Sequence, residues 1–268
     1  MGKVQFGCAS EHVTEVDEKE ADSRAARLIP AADRGRISAQ QIAGAINADD
    51  PHYPRTRLVC LENTTNKGGG ACYSLSALKD VRALCTEKGL ALHLDGARVF
   101  NAIVESGEYS PKELGQVFDS ISVCLSKGLG CPVGSLLLGT REFIARARRV
   151  RKLLGGGMRQ AGLLAAAGLY ALEHNIERLK EDHARARQLG EALQKLAWVE
   201  KVAPVETNIV IFTLAQGCPD APDVMAKLKD KGLAVSPMGS GLLRLVTHLD
   251  VSQADVDAAI GVLNAFEP

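Results

Sequence analysis

Three short apolar runs, each ending at a polar side chain, limit what this chain can fold into. They are Arg57–Glu62 (RLVCLE), Leu90–Leu94 (LALHL) and Ser120–Leu125 (SISVCL). Runs this short suit buried strands better than core helices. Between the first two, Ser74–Lys88 has amphipathic helical spacing and a serine to cap its first turn. Strands separated by helices argue for a largely parallel sheet, which gathers the polar residues after each strand along one edge. Val133–Leu138 predicts a fourth strand. Ser38 and Gln41 have the spacing of a capping box, predicting a helix through Ile46. Arg141–Leu154 has helical spacing, and a long helix is expected from about Met158 through Leu196. Beyond it, strand Asn208–Leu214, helix Asp220–Lys231, strand Leu242–Val246 and helix Ser252–Phe266 read as a compact α+β satellite. The expected class is α/β, with residues 1–175 as a large domain and 176–268 as a small one.

The bulk composition removes several classes of function. The 268 residues carry 32 basic and 32 acidic side chains and no formal net charge. That balance gives no reason to expect nucleic acid or an anionic membrane as partner. The six basic residues of Arg141–Leu154 read as a solvated face opposite an apolar stripe. No run approaches the roughly 20 apolar residues of a membrane span. The N-terminus lacks the apolar core of a signal peptide. The acidic stretch Glu11–Asp22 reads as a loop or a weakly ordered surface segment. Seven cysteines without a CxxC pair suit reduced thiols, and therefore a cytoplasmic setting, with a mitochondrial one left open.

Two residues suggest chemistry. Asp95 ends one buried run, and Lys127 follows the next, so both are delivered to the carboxyl edge, where α/β proteins place ligands. A lysine among apolar neighbours is a candidate Schiff-base former. An acid and an amine on adjacent strand ends are what pyridoxal phosphate (PLP) chemistry needs: one keeps the ring nitrogen protonated, the other holds the aldehyde. Taken alone, Asp95 with Arg98 equally describes a structural turn bridge, and His52 before Tyr53-Pro54 describes a turn.

The stretches LALHLDGARVFNA, SVCLSKGLGCPVGSLLLG, RKLLGGGMRQAGLLAAAGLYALE and LRLVTHLDVS resemble the threonine aldolase family, from about Gly35 to the C-terminus. The resemblance implies a fold-type-I PLP enzyme that cleaves β-hydroxy-α-amino acids such as threonine or allo-threonine to glycine and an aldehyde. It implies Lys127 as the cofactor lysine, Asp95 as the partner of the pyridine nitrogen, and Arg98 beside the cofactor hydroxyl and the substrate carboxylate. Arg159 and Arg244 match arginines facing the active site, where a planar guanidinium suits an α-carboxylate. Lys152 matches a lysine near the cofactor. His52 matches a histidine near the substrate β-hydroxyl, and His12 roughly matches the place of one that stacks on the cofactor ring. His248 is expected to be structural. The resemblance also implies a homo-oligomer, dimer or tetramer, with its site near a subunit interface.

Two departures stand out. LENTTNKGGG carries Thr65 where the family has histidine. No Ser-Gly-Thr loop precedes Lys127 to grip a phosphate through backbone amides, so the large domain is expected to be N-terminally incomplete. Two rivals follow: another PLP enzyme, such as a β-eliminating lyase or racemase, and a non-catalytic homologue.

Overall fold

The computed structural model of the protein describes residues 26–31, 33–239 and 241–268. The acidic stretch Glu11–Asp22 and His12 lie outside the described residues.

Ser38 opens helix α1 (Ala39–Ala43) with the expected capping box: its hydroxyl accepts from Gln41 N, and the Gln41 side chain accepts from Ser38 N. The helix stops short of Ile46 because Gly44 follows, and glycine costs about 1 kcal/mol in a helix interior relative to alanine.

The first sheet has the order β1 (Leu58–Glu62), β2 (Ala91–Asp95), β3 (Ser120–Cys124), β4 (Ser135–Gly139). The first three strands are parallel and β4 is antiparallel to β3. Helix α2 (Leu75–Lys88) joins β1 to β2, capped by Ser74 and ended by Gly89 in the left-handed region. Its Leu78, Val81 and Cys85 form one buried stripe. With Val59, Leu61, Leu92, Leu94, Ile121 and Val123 they make the first core. Two helices between β2 and β3, α3 (Val99–Ser106) and α4 (Pro111–Val117), complete that layer.

Helix α5 (Arg141–Leu153) follows β4. The expected apolar stripe is only half-buried, at Ile144, Ala147 and Val150. The single long helix expected from Met158 to Leu196 is two: α6 (Gly162–His174) and α7 (Leu179–Leu193). Asn175 ends α6, and its side chain donates to Leu129 O at 2.8 Å, a contact that tethers the break to the loop after β3.

The second sheet is antiparallel, with the order β5 (Val199–Val202), β6 (Ile209–Leu214), β8 (Leu242–Val246), β7 (Ser236–Pro237). Helices α8 (Ala221–Asp230) and α9 (Gln253–Asn264) accompany it. Its core packs Trp198 edge-on to Phe212 and Phe266, with Leu189 and Leu193 of α7 beneath. Each such large apolar side chain gains about 1.5–3 kcal/mol from burial. Polar contacts join the two sheets: Arg34 pairs with Glu206, and Thr207 Oγ1 donates to Gly70 O at 2.9 Å.

Candidate active site

Because β1, β2 and β3 are parallel, their carboxyl ends share one edge. Glu62, Asp95 and Ser122 lie there in register on adjacent strands. The Asp95 side chain accepts the Ala97 N–H at 3.0 Å, an Asx-type turn that lets the chain leave the strand at Gly96. Gly96 N donates to Ser122 O at 2.8 Å, and a Cβ at Gly96 would lie only 2.7 Å from that oxygen. Glycine there lets the Asp95–Arg98 turn press against β3.

Lys127 stands on the neighbouring turn. Gly130 N donates to Lys127 O at 2.9 Å and Cys131 N to Leu125 O at 3.0 Å, closing a compact loop. Leu125, Leu129, Cys131 and Ala171 form a small core beneath it, and the lysine itself is exposed. Arg98 begins α3. A cavity of about 10 Å³ separates the two turns, lined among others by Arg98, Gly128 and Leu129. That is room for about one water, so a substrate would occupy the open face above the turns.

The second sheet contributes Arg244 from β8, half-buried between Leu243 and Leu245. Its Nη1 donates to Asn66 Oδ1 at 2.8 Å, and Asn66 N donates to Glu62 Oε2 at 3.0 Å. The guanidinium is thereby tied to the loop that leaves β1, one strand from Asp95. Arg244 Nε is buried with no hydrogen-bond partner among the described residues. A buried unpaired donor costs about 1–3 kcal/mol, which an incoming carboxylate would relieve.

Asp95, Arg98 and Lys127 thus stand on turns at one sheet edge, with Arg244 tied to the loop that leaves β1, while the other expected residues do not join them through any described contact. Lys152 is exposed in the last turn of α5, its methylenes against Gly157, and Arg159 is exposed in the loop before α6. The His52 side chain is 85% exposed and its Nδ1 lies 2.7 Å from Asp50 Oδ1. His248 is half-exposed beside Asp250. Thr65 is buried, and its hydroxyl donates to Arg34 O at 2.8 Å.

Three residues that sequence reasoning missed belong to the surroundings of this edge. Asn66 holds Arg244; its signal was its place in the LENTTN motif. Asn101 and His183 are buried together behind the Lys127 turn; the signal for Asn101 was its place in LALHLDGARVFNA, and nothing in its sequence neighbourhood marks His183.

A second cleft, of about 590 Å³, opens between α1, α2 and the end of α3. Its carboxylates are already engaged: Asp33 with Arg36, Glu105 with His183 and Arg187, Glu108 with Leu75 N, and Glu206 with Arg34 and Cys72 N. Burial pushes the Cys72 thiol up to about 12, with the Glu206 carboxylate adding to the effect, so it is no nucleophile at neutral pH. Among the described residues, no cluster could hold a metal ion, and no helix is long and apolar enough to cross a membrane.

Comparison with known proteins gives the family and the fold. Residues 5–216 match the family model described as β-eliminating lyase. The chain is 44% identical over 238 residues to a low-specificity L-threonine aldolase of Escherichia coli O157:H7, covering 89% of this chain and 68% of that protein. It is 41% identical over 228 residues to low-specificity L-threonine aldolase 1 of Arabidopsis thaliana, covering 83% of this chain and 63% of that one. The chain therefore spans about two thirds of the length of these curated relatives. The solved Leishmania major threonine aldolase shares the fold, with a TM-score of 0.72 at 21% identity, over 88% of this chain and 68% of that chain. An ornithine aminotransferase of Toxoplasma gondii, described with partial occupancy of PLP at its active site, aligns with a TM-score of 0.58. The chain belongs to the threonine aldolase family, within the β-eliminating lyases, and its α/β architecture is of the fold-type-I kind.

Proposed function

We propose that this chain is a PLP-dependent carbon–carbon lyase that cleaves β-hydroxy-α-amino acids, threonine or allo-threonine, to glycine and acetaldehyde. The observation that carries the reading is the placement of Asp95 and Lys127 on adjacent parallel strand ends, with the Arg244 guanidinium tied to the next loop. This donor set fits PLP and an amino acid: an amine for the aldehyde, a carboxylate for the ring nitrogen, and a buried unpaired donor for the α-carboxylate. Bound PLP supplies an electron sink that accepts the pair released from the Cα–Cβ bond.

The chain's own residues do the rest. Lys127 would hold the cofactor aldehyde through its amine. Asp95 keeps the ring nitrogen protonated. Arg244, helped by Arg98 and Arg159, orients the α-carboxylate with the fork geometry of a guanidinium. Lys152 serves the cofactor phosphate. His52 is the proposed acceptor of the β-hydroxyl proton; with Nδ1 committed to Asp50, Nε2 is the ring's acceptor. His12 is the proposed ring-stacking partner. We further propose that the chain works as two units, 1–175 and 176–268, with the substrate held where they meet, and as a homo-oligomer.

Product analysis tests the reading. The PLP-loaded protein given L-threonine and L-allo-threonine is expected to release glycine and acetaldehyde in equal amounts. Ammonia with a 2-oxo acid would assign a β-eliminating lyase instead, and no turnover would refute catalysis by this chain.

A further inference from the structure

Helices α3 and α7 meet through a buried polar chain that the proposed function does not use. The Asn101 amide nitrogen lies 3.0 Å from His183 Nε2, and His183 Nδ1 lies 2.8 Å from Glu105 Oε2. Arg187 Nη1 reaches Glu105 Oε1 at 3.2 Å. His183 is fully buried and Asn101 nearly so. An amide nitrogen can only donate, so His183 Nε2 is the acceptor and Nδ1 carries the proton toward Glu105. One neutral tautomer satisfies both partners.

That tautomer also fixes Asn101. Its nitrogen is committed to His183, and its oxygen faces Gly128, the residue after Lys127. A Cβ at Gly128 would lie 3.1 Å from Asn101 Oδ1 and 2.9 Å from Leu179 Cδ2, so the turn is packed against both helices with no room for a side chain. The chain Glu105–His183–Asn101 thus ends beside Gly128, in the loop that presents Lys127.

We propose that His183 is a positioning residue for the Lys127 turn, acting through the Asn101 amide, so that α7 fixes where the Lys127 amine stands. The role given to Lys127 rests on the functional reading above; the mechanical coupling does not. Burial favours the neutral imidazole, while the Glu105 and Asp182 carboxylates oppose that and Arg187 supports it.

Two substitutions separate positioning from a plain staple between helices. His183→Gln sets an acceptor oxygen where Nε2 stood, toward Asn101. His183→Asn sets a donor where Nδ1 stood, toward Glu105, and leaves Asn101 without its acceptor. Hydrogen exchange of the full chain, without cofactor, reads the Gly130 and Cys131 amides that close the turn. These are expected to exchange about tenfold faster in His183→Asn than in the parent, the order of one lost buried hydrogen bond, and at parental rates in His183→Gln. Borohydride trapping of PLP at Lys127 should slow in the same variant only. Equal exchange in both variants would overturn the proposal, because the Glu105 staple would then be the whole role. The parent protein supplies a check that needs no variant: nitrogen NMR of His183 should show Nε2 unprotonated, and a proton on Nε2 would overturn the proposal. If exchange follows the expected pattern but Lys127 never traps PLP, the positioning stands and the functional reading falls.

Discussion

Individual side chains of the proposed site have partners already fixed by the fold. Asp95 commits one oxygen to the Ala97 N–H, which holds the carboxylate at the sheet edge before any ligand arrives. Asp95→Asn keeps that contact and the shape but cannot hold a ring nitrogen protonated. It is expected to retain the cofactor and lose turnover by about 10²-fold or more, the scale of removing one preorganised electrostatic partner. Activity within a few-fold of the parent would make Asp95 merely structural. His183 makes a prediction about stability. Burial holds its folded-state pKa below the ordinary histidine value, against the pull of Glu105. The unfolded chain therefore binds more protons, and stability falls as pH drops below about 6.5 toward the lowered value. Thermal melts from pH 8 to 5 should show this slope, and His183→Gln should flatten it; identical slopes would contradict the assignment. Asp95 and Lys127 stood out because each follows or ends an apolar run, and Arg244 through the resemblance of LRLVTHLDVS to the family. His183 did not, since its neighbours Lys180, Glu181, Asp182 and Arg185 make its helix read as a solvated face.

Among elements, the strands of the first sheet were readable to within two residues because each is a continuous apolar run. Helices α3 and α4 escaped notice because they have eight and seven residues, too few for periodicity to show. The break between α6 and α7 is set by a tertiary contact, Asn175 to Leu129 O, which no local pattern encodes. Strand β5 (VEKV) has no strand signature of its own and takes its form from pairing with β6. Pairing of β2 with β3 is itself anchored by Asp119, whose carboxylate accepts the Leu92 N–H at 2.7 Å and Arg82 Nη1 at 2.8 Å. Burial alone would raise that carboxyl, but Arg82 and the Leu92 N–H more than offset it, and it lies below the ordinary range. Its contribution is thus present above about pH 4 and lost as pH falls through the lowered value. Asp119→Ala should cost about 1–2 kcal/mol, the lower half of that range being favoured by the half-exposed side chain, and depress Tm by about 2–4 °C per kcal/mol. An unchanged melt would show that the strands need no such anchor.

For the whole molecule, the proposed site borders the contacts that join the two sheets, Arg244 to Asn66, Thr207 to Gly70 and Arg34 to Glu206. Large apolar side chains are exposed along the segment from β4 to α6. Leu136 and Leu138 of the edge strand β4, with Leu153, Leu154, Leu163 and Leu169 nearby in sequence, are exposed. Such a surface, on an edge strand with open backbone groups, favours association. The chain is expected to sediment as an oligomer, and the pair Leu136→Lys with Leu138→Lys to shift it toward monomer. A monomeric parent at micromolar concentration would contradict this.

Lys127 is the proposed cofactor lysine of this chain. Incubation of the purified protein with PLP, reduction with borohydride and peptide mapping test it directly. A phosphopyridoxyl group is expected on Lys127, abolished by Lys127→Ala; modification confined to other lysines, with Lys127 untouched, would contradict the assignment.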